Sequence, residues 1–296
     1  MLNEFLSFFE GKKISVFFEG TLGAGGHAKA LLEAHPEIEV YIGCDKDPES
    51  LEIAKVNLAP WKDKVELVQG DFSDLDVYLK KKKIKTVDGF FFDVGVSSMQ
   101  LDKGHKGFSF SKEGPLDMRM DPYGDVTAEY IVNTFSEKEL GNLFREYGEE
   151  RQWKMAAKAV VDARKKERIK TTTELANIIV EAFQNKRGKL HPATLIFQAL
   201  RICVNKELDA LNMALTKSIQ FLSKGGRVGV ISFHSLEDRI VKNVFKDASL
   251  VTKDEKKKGK AALLHILTKK PLQATLNEIK FNPRSRSAKM RFAEKM

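Results

Sequence analysis

Two cysteines, Cys44 and Cys203, in 296 residues cannot build a disulfide framework, and their scarcity suits a reducing compartment. No Cys/His cluster stands at zinc-ligand spacing, and no P-loop or internal repeat occurs. Neither a zinc module nor a Walker-type phosphate loop is therefore expected. No apolar run approaches the roughly twenty residues that span a bilayer, and the N-terminus lacks a basic-then-apolar leader pattern. A soluble, intracellular protein is expected. Acid is in deficit as well: 41 Asp and Glu against 50 Lys and Arg leave a net charge of +9, which suits a polyanionic partner. The length suffices for one large domain or two ordinary ones.

What is present begins with an apolar run, Ile14 to Phe18, that reads as a buried strand and stops at Glu19-Gly20-Thr21-Leu22-Gly23-Ala24-Gly25-Gly26-His27. Ala28 to Glu33 then reads as a helix. Strand, glycine turn and helix in that order make a nucleotide-type pocket, because glycines admit a ligand to the backbone and the helix start offers unpaired N–H groups. Glycine-rich turns also serve as bare connections, so the next strand decides. Glu39 to Cys44 supplies it, ending at Asp45 about twenty positions past the turn, where a carboxylate can hold two ribose hydroxyls. An adenosine-containing ligand is expected, with dinucleotide and S-adenosylmethionine both open at this point. Asp47-Pro48 reads as an N-cap with proline at the first helical position.

A helix over 49–58 and a third strand over 64–68 follow, delivering Asp71 and Phe72 to flank an adenine. The run Lys80-Lys81-Lys82-Lys83-Ile84-Lys85 reads as the solvated end of a helix. Val87 to Asp93 reads as a fourth strand buried on both faces, bringing Asp93 and the Val94-Gly95-Val96-Ser97-Ser98 turn to the same rim. Strand–helix alternation then stops. Residues 105–205 read as an all-helical insertion between two parts of one α/β domain, 1–104 and 206–296. Ser136-Glu137-Lys138-Glu139 and Thr171-Thr172-Thr173-Glu174 are capping boxes, and His191-Pro192 opens one long helix through Leu222. The insertion springs from the rim and is expected to grip substrate; a stabilising lid is the plainer alternative. A strand over 227–233, a helix over 240–245, a lysine-rich loop over 253–260 and an edge hairpin over 263–268 and 288–292 complete the chain. Met1 to Glu10 reads as an amphipathic helix covering the sheet edge. His27 and His234 each suit a cap as well as a proton carrier. Asn282-Pro283-Arg284-Ser285-Arg286-Ser287-Ala288-Lys289 joins arginines to hydroxyls in a manner suited to phosphates.

Taken together, these motifs are specific. The glycine turn, Asp93 to Asp102, Gly107-Phe108-Ser109-Phe110, Gly114 to Asp121, Tyr147-Gly148-Glu149-Glu150, His191-Pro192-Ala193-Thr194, Ile231 to Arg239 and Asn282 to Ala288 closely resemble the MraW family of bacterial small-subunit ribosomal RNA methyltransferases, over essentially the whole chain. The resemblance implies a class I, Rossmann-like methyltransferase sheet and S-adenosylmethionine as cofactor. It also implies N4-methylation of a cytidine in the decoding region of 16S rRNA, in the cytoplasm and on the assembled small subunit. Its cofactor contacts fall on Gly25, Gly26, His27, Asp45, Phe72, Asp93 and Gln100. Asp93 is the candidate nearest the chemistry, with Ser97 second, and Arg119, Arg239, Arg284 and Arg286 are candidates for RNA. No metal is implied, and monomer and dimer both fit. Two departures stand out: the sequence opens Met1-Leu2-Asn3-Glu4 without the family's His-x-Pro-Val-type segment, and Glu19 stands where Asp is usual. The rival classes are a nucleotide-dependent oxidoreductase and a non-catalytic RNA-binding or assembly factor.

Overall fold

The computed structural model describes residues 1–183, 190–251 and 261–296. Two compact units emerge, one formed by Met1–Gly95 with Leu208–Met296 and the other by Val96–Glu207. The first unit opens with α1 (Leu2–Ser7), β1 (Val16–Glu19), α2 (Gly26–Ala34), β2 (Val40–Asp45), α3 (Pro48–Asn57), β3 (Val65–Gln69), α4 (Leu75–Lys81) and β4 (Val87–Asp93). The second unit holds α5 (Ser98–Asp102), α6 (Ala128–Thr134), α7 (Glu137–Glu146), α8 (Trp153–Arg164), α9 (Thr172–Ala182) and α10 (Thr194–Asn205). The chain returns through α11 (Glu207–Phe221), β5 (Leu222–Ser232), α12 (Ser235–Ser249), β6 (Leu264–Ile266), β7 (Leu272–Gln273), a short α13 (Leu276–Phe281) and β8 (Lys289–Lys295).

Strands β1 to β5 lie parallel in the order β3-β2-β1-β4-β5, and β8 pairs antiparallel with β5 and carries β6 and β7. This is the doubly wound plan, in which ligands sit outside the carboxyl ends of the parallel strands. The expected Rossmann-like α/β sheet is borne out. Central β4 reads Val-Asp-Gly-Phe-Phe-Phe-Asp because helices cover both its faces; Phe90, Phe91 and Phe92 are fully buried. Asp88, at its start, ties strand ends together by accepting from the Ser15 and Val16 amides and the Ser223 hydroxyl. At its other end stands Asp93.

Several expectations are corrected. Helix α1 covers the sheet face rather than its edge, since the rings of Phe5 and Phe9 pack on Phe17, Phe91 and Phe292 of β1, β4 and β8. The long helix over 191–222 is two helices, broken at Lys206 with φ +51°. The expected antiparallel edge pair is present, β6 on β8, but with a long connection carrying β7 and α13 rather than a tight turn, and with β8 the inner strand beside β5. Helix 240–245 extends over Ser235–Ser249, and β5 starts earlier, at Leu222. The lysine-rich loop over 253–260 lies outside the described residues.

In the second unit the helices enclose a core of their own, including Leu116, Ile131, Phe144, Val160, Leu175 and Leu200. Both predicted capping boxes are present, Ser136 with Glu139 and Thr171 with Glu174.

Candidate functional site at the carboxyl rim of the sheet

Three parallel strands end in acids, Glu19 on β1, Asp45 on β2 and Asp93 on β4. Between β1 and α2 the chain must reverse within a few residues. Gly25 makes this possible as the N-cap of α2 at φ +80°, a left-handed conformation that an L side chain adopts only under strain. The turn is stitched to its neighbours on every side. Gly20 N donates to Phe91 O at 2.9 Å, Leu22 N to Cys44 O at 2.9 Å, and Gly23 N to Asp45 Oδ2 at 2.7 Å. Thr21 Oγ1 accepts from Asp93 N at 2.6 Å. The outer face of the turn stays open: a Cβ placed at Gly23 or Gly26 would meet no heavy atom within 4 Å.

Asp45 therefore works in the fold, its Oδ1 also accepting from Asp47 N at 2.9 Å. Asp47 caps α3 and Pro48 is its first residue, as expected. Asp71 caps the turn that carries Phe72 and pairs with Lys46 at 2.8 Å. Burial works to raise the Asp71 pKa, but the Lys46 ammonium and the Ser73 bonds overcome it and hold it below the usual carboxylate range. The half-buried Phe72 ring lies 5.7 Å from that of Phe92.

Asp93 is the unusual acid of the rim. Its Oδ1 is buried with no hydrogen-bond partner among the described residues. Burial raises its pKa to about 7; the N-terminal amine opposes this and the Glu237 carboxylate adds to it. The imidazole of His27, in the first turn of α2, lies 3.8 Å from Asp93 Oδ2 and 4.0 Å from Glu19 Oε1. Its ring sits edge-on to Phe5 and Phe91. Burial, helped by the N-terminal amine, lowers the His27 pKa to about 4, so the ring is neutral at physiological pH. Behind it, fully buried Glu19 accepts a 2.6 Å bond from the Tyr41 hydroxyl. Burial pushes the Glu19 pKa well above its usual value, with the Tyr41 hydrogen bond opposing the shift and the Asp93 and Asp45 carboxylates adding to it. Tyr41 was missed by sequence reasoning. Its signal was a tyrosine inside an apolar strand, where the hydroxyl needs a buried partner.

Other candidates take identifiable roles. His234 is the N-cap of α12, in a capping box with Glu237. In the second unit Ser97 caps α5 in a box with Gln100: Ser97 Oγ accepts from Gln100 N at 3.2 Å and Gln100 Oε1 from Ser97 N at 3.0 Å. Arg119 grips Asp117 through two bonds, at 2.8 and 2.7 Å, and Gly124 O through a third, bracing its loop. Arg239, Arg284 and Arg286 are exposed. Among the described residues no helix is long and apolar enough to cross a membrane.

Comparison with known proteins adds four findings. Residues 1–296 match the model of the MraW methylase family. The chain is 52% identical to the ribosomal RNA small subunit methyltransferase H of Protochlamydia amoebophila (strain UWE25), covering 100% of this chain and 96% of that protein. It is 46% identical to the protein of the same name from Persephonella marina (strain DSM 14350 / EX-H1), covering 99% and 97%. Among solved structures, an rRNA methylase from Streptococcus thermophilus superposes with a TM-score of 0.43 at 10% identity, covering 96% of this chain and 88% of that one.

Proposed function

The chain belongs to the MraW methylase family, and we propose that it methylates the N4 amine of a cytidine in the decoding region of 16S rRNA, using S-adenosylmethionine, on the assembled small subunit. The single observation that carries the reading is Asp93, a half-buried carboxyl with a buried, unpartnered Oδ1 and a pKa raised to about 7, beside an open glycine turn at the sheet's carboxyl rim. The residues present suit the cofactor. Gly26 leaves backbone room, Gly25 gives the turn its left-handed bend, and Asp45 at the tip of β2 would face the ribose hydroxyls. Phe72 would offer a ring to the adenine, and the neutral His27 would add no positive charge to repel a sulfonium; the family motif adds Gln100 to the candidates. S-adenosylmethionine supplies, when bound, a methyl group on an electrophilic sulfonium.

The chain's own task is to make a poor nucleophile attack. The N4 lone pair of cytosine is delocalised into the ring, and an acceptor for an amine hydrogen favours the pyramidal nitrogen that reacts. The Asp93 carboxylate is that acceptor, and its pKa near the working pH suits it to take the released proton. Ser97 is the second candidate, because its hydroxyl oxygen has two lone pairs and the bond from Gln100 N uses one of them. Positioning and electrostatics supply most of the rate. The target base must leave its stack to reach such a site, and Arg239, Arg284 and Arg286 offer exposed guanidiniums to its backbone. Arg119 serves RNA through the loop it braces, and the helical unit grips the substrate. The cytoplasm, where small subunits form, is the place of action.

The test is labelled methyl transfer, comparing assembled small subunits with naked 16S rRNA. Transfer to subunits is expected, with less to naked RNA. A protein that binds NAD rather than S-adenosylmethionine and labels neither would overturn the reading.

A further inference from the structure

We propose that Phe281 is a stacking platform for an unpaired base of the substrate RNA, with the neighbouring Lys280 and Arg286 taking its phosphates. The inference rests on the reading of the substrate as RNA. Among the described residues Phe281 is the one phenylalanine left on the surface, at 86% exposure, whereas Phe5, Phe17, Phe90 and Phe292 are fully buried. Burying such a ring is worth about 1.5–3 kcal/mol. A fold that sets its other phenylalanines inside or partly inside, yet presents this one, has a use for the ring in water.

The frame that presents it is fixed. Thr275 caps α13 by accepting from Glu278 N at 3.2 Å. Asn282 N donates to Glu278 O at 2.7 Å, and the next turn follows directly. In that turn, Pro283–Ser287, the serine at 285 is buried and bonds through its hydroxyl to Asn282 O at 2.7 Å. With Ser285 turned inward, Arg284 and Arg286 on either side are exposed, as is Lys280. Ring and cations are thus displayed together on one braced segment, so little ordering cost remains for binding.

The segment also adjoins the rim. Glu278 pairs with the amine of Met1, and the charge of that amine is felt at both His27 and Asp93. An aromatic ring interleaved with cations is what unpaired bases need: every base has a face to stack, and its phosphate follows the cation. The one other large apolar group exposed on α13 is Leu276. Two side chains fall well short of the roughly 1,200 Å² that a stable protein interface buries, whereas a single base needs one ring.

The experiment titrates full-length protein with small ribosomal subunits from a strain lacking the modification, over a salt series. Phe281→Ala is expected to weaken binding roughly 5- to 150-fold with an unchanged salt slope, because stacking releases no counterions. Phe281→Trp is expected to restore affinity and to show tryptophan quenching on binding beyond that of the wild type's Trp61 and Trp153. Arg286→Ala is expected to lower the slope by about one. Phe281→Ala binding within twofold of a wild type that methylates these subunits would overturn the platform and leave the RNA reading standing. A wild type that neither binds nor methylates them would overturn both. Loss of self-association in Phe281→Ala, with RNA affinity intact, would assign the ring to a second copy of the chain and overturn the proposal.

Discussion

The chemistry of the rim depends on a few ionisable groups whose surroundings move them in opposite directions. Asp93 is raised to about 7 by burial, and the proposed role needs its carboxylate. Methyl transfer should therefore rise with pH and reach half its plateau near 7, and Asp93→Asn should lose both that limb and most of the rate. A pH–rate profile of the two proteins under single-turnover conditions checks it; an unchanged limb in the variant would assign the titration elsewhere. Stability runs the other way. An acid whose folded pKa is raised stabilises fully below its unfolded value and loses that contribution as pH rises through the folded value. For Asp93 the window runs from 3.8 to about 7, and for Glu19 it opens at 4.5 and extends upward. Glu19→Gln keeps an acceptor for Tyr41 and cannot ionise, so its stability relative to wild type should climb between pH 5 and pH 8 in denaturant unfolding. Glu19→Ala should instead destabilise at every pH, by about 1–3 kcal/mol from the stranded Tyr41 hydroxyl alone. Equal pH slopes for wild type and Glu19→Gln would mean that Glu19 is ionised in the fold. None of this was legible locally, because Glu19 and Tyr41 are 22 residues apart and meet only through the β1–β2 register. The positions of Asp45 and Asp93 were legible, because an apolar run that ends in an acid marks a strand tip.

At the scale of elements, legibility followed the length of the local signal. Strand β4 was read to its bounds, since a run buried on both faces needs no partner to be recognised. The capping boxes at Ser136 and Thr171 were likewise visible, each being a four-residue pattern with its own hydrogen bonds. The break between α10 and α11 was not, because apolar spacing continues through it and no glycine or proline marks it. It is held by distant partners: Asn205 donates to Met118 O and accepts from Met120 N, and Arg201 clasps Glu207. The place of β8 between β5 and β6 was hidden for the same reason, as strand order is a non-local choice. The glycine turn joins local signal to function and yields a sharp expectation. At Gly25 a methyl group would meet Leu58 at 3.0 Å in a backbone conformation of φ +80°. Gly25→Ala should lower stability by roughly 1–2 kcal/mol and weaken S-adenosylmethionine binding at least tenfold by calorimetry. At Gly26 an added methyl would meet no heavy atom within 4 Å, so Gly26→Ala should fold normally and lose cofactor affinity alone. Undiminished affinity in both variants would remove the turn from the cofactor site.

At the scale of the whole molecule, a parallel sheet with acids and a glycine turn at its carboxyl rim lies in one compact unit and a helical core in another. The net charge of +9 supplies the long-range attraction that a polyanion needs, but charge does not choose a base or an atom on it. That choice is the centre of the account: one exocyclic amine of one cytidine, with Asp93 accepting its hydrogen. The most direct measurement is nucleoside mass analysis of 16S rRNA from small subunits that lack the modification, after incubation with the protein and isotope-labelled S-adenosylmethionine. The account predicts label in N4-methylcytidine from the decoding region, and none when Asp93→Asn replaces the wild type. Label on cytosine C5, on another base or on a ribosomal protein would contradict it.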